Sequence, residues 1–166
     1  MIRAATLADI PDLIHIEVDA GELFRSIGFE AVAEDRPTAE FFSSSIDVGH
    51  AWIWASETGQ PAGFLLIEPL ADSAHIEQVS VRRDFAGRGI GATLIDYADH
   101  WAVSNGYAAL TLTTFRDVPW NAPYYVRLGF RELPEREWSP ELRAIVDREA
   151  DHGIAISPRI AMVKDL

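Results

Sequence analysis

Gly87, Gly89 and Gly91 alternate with Arg88 and Ile90 in a loop that follows the apolar run Val79-Ser80-Val81 and opens onto a helical pattern. Glycines at alternate positions let the backbone approach a ligand without interference from Cβ atoms. The first amides of a helix lack intrahelical acceptors, and the helix dipole adds partial positive charge there. Such a combination suits phosphate oxygens. Arg88 is placed to add a charge-assisted hydrogen bond. The same residues also read as a structural tight turn. Two familiar phosphate motifs do not fit. The Gly-Lys-Ser/Thr ending of a Walker loop is missing. The spacing is G-x-G-x-G rather than G-x-G-x-x-G, with no acidic residue about 20 positions on to read a ribose.

Glu77 is the second residue with chemical potential. It sits inside the strand pattern Ala74–Val81, where burying an ionised carboxylate would be costly. The competing reading is a strand-end glutamate facing solvent. His75, two residues earlier, shares its face by strand periodicity and has a suitable intrinsic pKa for proton transfer. His15, His50, His100 and His152 have no companion cluster, so no metal site is expected.

The elements that must carry these residues follow from the pattern. Ile2–Ala5 reads as a strand. Thr6 reads as an N-cap with Asp9 at N3, ahead of a helix with Ile10, Leu13, Ile14 and Val18 on one face. That helix is expected to reach about Phe24 and to break at Ser26-Ile27-Gly28. Arg36-Pro37-Thr38 opens a shorter helical piece through Phe41 and Phe42. Ala51–Ala55 and Ala62–Ile67 form a hairpin around the turn residues Glu57–Pro61. In Ala74–Val81 the odd spacing of Ile76 and Val79 predicts a β-bulge near Glu77-Gln78. Ile90, Leu94, Ala98, Trp101 and Ala102 mark a helix that Asn105-Gly106 ends. Next come a strand Leu110–Thr113, a short helix Asn121–Leu128, a strand from Phe130 to Leu133, a helix Pro140–Asp151 and a closing strand Arg159–Lys164. Repeats, linkers and low-complexity tracts are missing, which predicts one α/β domain over residues 1–166.

Composition narrows the function classes. The chain has 166 residues, 14 Lys and Arg against 26 Asp and Glu, and a formal net charge of −12. That balance opposes a nucleic-acid binder working by phosphate neutralisation, and equally an anionic membrane surface. With no cysteine, a disulfide framework, a thiol nucleophile and a Cys-ligated zinc are excluded. The N-terminal residues lack a signal-peptide core and no long apolar run occurs, so a cytoplasmic protein is expected.

Ala86-Gly87-Arg88-Gly89-Ile90-Gly91 resembles the pyrophosphate loop of the GNAT superfamily of acyl-CoA-dependent N-acyltransferases, which has the form Gln/Arg-x-x-Gly-x-Gly/Ala. Ala86 departs from the Gln/Arg position. Asn121-Ala122-Pro123-Tyr124-Tyr125-Val126-Arg127-Leu128-Gly129-Phe130 is similar to the family's late helix, which usually ends Tyr-x-x-x-Gly-Phe. The two motifs stand in family order with a strand between them, and the order of elements agrees across nearly the whole chain.

The resemblance implies a GNAT-like α/β (α+β) fold: a mixed, mostly antiparallel sheet flanked by helices, with a splayed strand pair for the acyl-CoA. It implies that Val79 and Val81 hydrogen-bond the pantetheine through their backbone, and that the loop from Ala86 through Gly87, Arg88, Gly89, Ile90, Gly91 and Ala92 holds the pyrophosphate. Asn121 joins this cofactor-binding set, and Arg82 or Arg83 is a candidate for the adenosine phosphate, with solvated surface charge the other reading. The implied reaction is direct attack of an amine on the acetyl thioester of acetyl-CoA, with Tyr125 as general acid to the thiolate and Glu77 as candidate base, directly or through water. The acceptor pocket is expected from the first helix, the loop after it and the last strands; Glu17, Asp19 and Glu22 lie there, with Glu22 and Trp120 as candidates. No metal is implied, and a homodimer is common among such proteins. The alternative is an acyl-CoA-binding sensor that keeps the fold without catalysis.

Overall fold

The computed structural model describes residues 1–153 and 156–166. Its strands are β1 (Ile2–Ala4), β2 (Ala51–Ala55), β3 (Pro61–Pro69), β4 (Ala74–Val81), β5 (Ala109–Phe115), β6 (Arg131–Glu132) and β7 (Arg159–Asp165). The α-helices are α1 (Ile10–Gly21), α2 (Glu30–Ala33), α3 (Ala39–Asp47), α4 (Ile90–Ser104), α5 (Ala122–Arg127) and α6 (Pro140–Asp151). The strands form one mixed sheet in the order β1-β2-β3-β4-β5-β7-β6, flanked by helices. Two compact units make up the chain: residues 1–68 with 76–98, and residues 69–75 with 99–166.

In the first unit β1 and β3 both run antiparallel to β2, with Arg3 opposite Ile53 and Ile53 opposite Phe64. Leu13 and Ile16 of α1, Phe42 of α3, Ile53 and Phe64 form its apolar core. Phe42 meets Phe64 edge-on at 5.4 Å between centroids. The entry to α1 is set by Asp9, whose carboxylate accepts from the Thr6 amide (2.8 Å) and pairs with Arg3 (2.8 Å). Arg3 holds that carboxyl down at about 2. Gly63 permits a close approach: a Cβ there would lie 3.0 Å from Ser80 O and 3.3 Å from both Ile90 and Leu94. The absence of a side chain therefore seats the start of α4 directly against β3.

In the second unit β5 and β7 are antiparallel along their length, and β6 adds to β7. Parallel pairing of β4 with β5 joins Ala74 to Leu110 and His75 to Thr111. Helix α6 starts where Ser139 accepts from the Leu142 amide (3.1 Å) and Pro140 fills the first turn.

Two expectations change. The first helix is shorter: α1 ends at Gly21, and Glu22–Ile27 continues as a 3-10 segment that Gly28 closes at φ 81°. Helix α2 is additional; four residues are too few to show a period. In β4, Ala74, His75 and Ile76 are consecutively buried. The register shift that the β2–β3 pairing shows lies between Trp54 and Ala55 of β2.

Candidate active site

The glycine loop is built by a short 3-10 turn, Arg83–Phe85, between β4 and α4. Gly87 and Gly89 have φ of 74° and 76°, in the left-handed region that side chains resist. Neither has a heavy atom within 4 Å of where a Cβ would stand, so the loop is open on its outer side. Thr93 is the first residue here to find a helical acceptor, donating to Gly89 O at 3.0 Å. The amides of Gly87, Arg88, Gly89, Ile90, Gly91 and Ala92 precede it at the dipole's positive end. Ile90 anchors the turn with its side chain buried. Ala86 uses its amide on Arg83 O (3.1 Å).

Aromatic packing fixes the loop's other flank. Phe85 meets Trp54 at 6.3 Å, and the guanidinium carbons of Arg88 and Arg82 lie 4.8 and 5.6 Å from its ring centre. Arg82 also pairs with Asp84 at 2.8 Å. Arg83 is tied to α1, where Asp19 accepts from its amide (2.7 Å) and its guanidinium (3.1 Å). Arg88 thus remains beside the loop as positive charge, while Arg82 and Arg83 are paired with Asp84 and Asp19.

Along β4 the placements differ from residue to residue. Glu77 is exposed, so the burial cost expected of its charge does not arise. Val79 and Val81 are half-buried. Arg82 donates its amide to Ala62 O of β3 at 2.9 Å. Backbone groups alternate sides along a strand, so Val81 and Val79 turn theirs away from β3.

Glu17 of α1 is a half-buried carboxylate held against β4. Gln78 Nε2 donates to its two oxygens (3.0 and 3.2 Å), and Ser80 Oγ donates to Oε2. Gln78 Nε2 also reaches Ser80 Oγ at 3.2 Å. Burial pushes the Glu17 carboxyl up, against the hydrogen bonds from Ser80 and Gln78 that favour its ionised form. Sequence reasoning placed Glu17 in the region of the expected acceptor pocket but did not pair it with Gln78 and Ser80. Its one signal is that Glu17 continues the apolar stripe of Ile10 and Leu13 at helical spacing, where a charge has to be compensated.

Glu22, the candidate acceptor-binding acid, lies in the 3-10 segment after α1 and pairs with Arg25 at 3.1 Å. The Arg25 guanidinium holds its carboxylate below the ordinary value.

In the second unit Asn121 precedes α5. Tyr124 and Tyr125 donate their amides to its backbone oxygen (2.9 and 3.1 Å), and its side-chain Oδ1 is buried without a hydrogen-bond donor among the described residues. A buried acceptor of that kind calls for a partner. Tyr125 is half-buried, with its ring edge-on to Tyr124 (5.5 Å) and Phe130 (5.8 Å). Its backbone oxygen accepts from Leu128 and Phe130, so the Gly129-Phe130 ending clamps the tyrosine's turn. Trp120, next to Asn121, is half-buried. His75 is 2% exposed, with Nδ1 2.9 Å from Thr111 Oγ1, and burial, with Arg148 nearby, lowers it to about 4. A sealed imidazole of such low basicity is a core residue, not a proton carrier at neutral pH.

Residues 15–130 match the profile of the Acetyltransferase (GNAT) family, and the chain belongs to that family. Among solved structures it is similar to the N-acetylglutamate synthase of Neisseria gonorrhoeae complexed with coenzyme A and N-acetyl-glutamate. The TM-score is 0.73 at 18% identity, over 100% of this chain and 35% of that one. The chain thus spans about a third of that enzyme's length. It is also similar to the ribosomal-protein-S18-alanine N-acetyltransferase of Escherichia coli (TM-score 0.69, 20% identity, 99% of this chain and 92% of that one). A third likeness is to the PaiA N-acetyltransferase of Thermoplasma acidophilum in complex with coenzyme A (TM-score 0.73, 14% identity, 100% and 98%). At these identities the likeness is one of fold.

Proposed function

We propose that the chain transfers an acetyl group from acetyl-CoA to a primary amine by direct attack. The observation that carries this reading is the loop before α4, where two left-handed glycines open a row of helix-start amides outward. Those amides suit a pyrophosphate, and Arg88 adds charge. Val79 and Val81 offer backbone groups to the pantetheine amides, and the unsatisfied Asn121 Oδ1 offers an acceptor to the same cosubstrate.

The amine nitrogen forms its bond to the thioester carbon and the carbon–sulfur bond breaks. Glu77 takes the proton the amine loses, directly or through water, and its exposure on β4 leaves it accessible for this. Tyr125 donates its phenolic proton to the departing thiolate. The acidity of the whole chain favours a cationic amine by steering. Cytoplasmic residence and a homodimer belong to the same proposal.

The test is thiol release from acetyl-CoA across a panel of primary amines, an alanyl peptide and an aminoglycoside. Turnover on at least one acceptor is expected. Tyr125→Phe should then lower kcat about 100-fold or more while acetyl-CoA still binds. Unchanged turnover removes Tyr125 from the reaction. Binding of acetyl-CoA with no turnover on any acceptor marks an acyl-CoA sensor.

A further inference from the structure

The second unit holds a cavity of about 520 Å3 whose lining, among the described residues, includes none of those assigned above to acetyl-CoA, to catalysis or to the acceptor. Its size falls within the ~300–1,000 Å3 of small-molecule sites. Thr113 of β5 and Ala161 of β7, opposite each other in the antiparallel ladder, belong to its lining. Val146 of α6, Ile156, Pro158 and Ile160 make the surround apolar. Trp138 adds its indole ring, whose N–H is committed to Leu133 O at 2.9 Å, so the ring offers only its apolar surface.

The charged residues of this lining are Glu149 and Arg159, paired at 2.8 Å. Thr113 Oγ1 donates to the same carboxylate (2.6 Å to Oε1). Arg159 Nη2 serves both Glu149 Oε2 (2.8 Å) and Thr113 Oγ1 (3.3 Å). The hydrogens on its Nε and Nη1 find no acceptor among the described residues, while the Phe115 ring, 4.6 Å from the guanidinium carbon, packs against the group. Arg143, 5.3 Å from the Trp138 ring, is itself paired with Glu135 at 2.8 Å. Charge at the cavity is thus balanced, and the hydrogen-bonding capacity left over is that of a donor.

We infer that this cavity binds a small, uncharged molecule with a flat apolar body and a carbonyl oxygen, which accepts from the spare N–H groups of Arg159. Each feature of the ligand answers one of the site. The apolar surround and the Trp138 ring suit a flat apolar body. The guanidinium can donate and cannot accept, so the polar end must be an acceptor. A carboxylate could take the same N–H groups, but it would add a charge that Glu149 already balances, in a chain of net charge −12. A cationic amine brings only donors and meets a carboxylate whose oxygens are already held by Thr113 and Arg159. A neutral carbonyl satisfies the donors and leaves the pair intact.

The experiment titrates the full chain with three probes of one shape: phenylacetamide, phenylacetate and phenethylamine. Phenylacetamide should bind about tenfold or more tightly than either charged probe, the worth of one well-made hydrogen bond. On its addition the indole 15N–1H signal of Trp138, assigned by its loss in Trp138→Phe, should shift. Arg159→Lys keeps a cation opposite Glu149 but loses the planar fork of donors, and it should weaken phenylacetamide about tenfold. Ala150→Trp, at an exposed position of the lining, should fill the cavity and abolish binding even if the Arg159 variant fails to fold. Saturating acetyl-CoA should leave the affinity unchanged. No binding of phenylacetamide to the native chain overturns the inference. Equal or tighter binding of phenylacetate overturns the uncharged class. Displacement by acetyl-CoA, or full binding by Ala150→Trp, would put the probe elsewhere and overturn the site. None of these outcomes depends on turnover, so failure of the acyl-transfer reading is distinguishable from failure of this one.

Discussion

Strand β4 carries two polar clusters that treat burial differently. At its start His75 meets Thr111, whose hydroxyl is 3.2 Å from Ser73, and all three are under 5% exposed. Toward its end Gln78 and Ser80 hold Glu17, and Gln78 stays half-open. Burial drives both titratable groups toward their neutral forms, His75 downward and Glu17 upward. The difference lies in solvent contact. A polar group sealed in the core contributes to stability and responds to pH, whereas one with an accessible atom left over can also meet a ligand.

The largest effect expected from this contrast is on the pH dependence of stability. His75 titrates near 6.5 unfolded and about 4 folded. The unfolded chain thus binds the extra proton first, and stability falls as pH drops from 6.5 toward 4. The full amplitude is about 3 kcal/mol. Denaturant titrations at a series of pH values should show this slope in the native chain and a flatter one in His75→Gln. Identical slopes would place the imidazole's titration outside folding. Thr111→Val comes next. It strips the partner from His75 and Ser73 and should cost about 1–3 kcal/mol with no change in KM for the amine. A changed amine KM would erase the contrast between the two clusters.

Glu17→Gln should act with the opposite sign to the histidine. A carboxyl whose folded pKa is raised keeps its proton after the unfolded chain has lost it, so the native chain loses stability as pH rises through that range. Removing the titration should make the variant the more stable of the two at neutral pH, and the advantage should vanish in acid. The smallest effect belongs to Glu22→Gln. An exposed pair with Arg25 contributes little, so thermal melts should superimpose, and a clear loss would give Glu22 a larger part than its exposure supports.

Much of this was legible in the sequence where local rules suffice. Ser139 and Pro140 announce α6 at its first residue, and the periodic run from Ile90 delivers α4. The Glu57–Pro61 turn predicts the β2–β3 hairpin. The glycine spacing located the loop, because left-handed backbone leaves a mark in residue type. What escaped depends on distant partners. Glu17 meets Gln78 and Ser80 across 61 and 63 residues of sequence, and no local rule pairs them. Glu77 read equally as a buried carboxylate and as a glutamate facing solvent. Its own exposure is decided by what packs over that part of the strand. The 3-10 segment Glu22–Ile27 escaped for a related reason, since its residues suit a helix and only Gly28 marks where the helical turn must stop.

The central claim is that the amides from Gly87 to Ala92 cradle the pyrophosphate of acetyl-CoA. Calorimetric titration of acetyl-CoA into the native chain and into Gly89→Asp tests it most directly, because a carboxylate at Gly89 would stand beside the phosphates. The account predicts binding by the native chain, with a rise in Tm at saturating ligand, and loss of binding in a variant that still melts cooperatively. Full retention of binding by Gly89→Asp would contradict it.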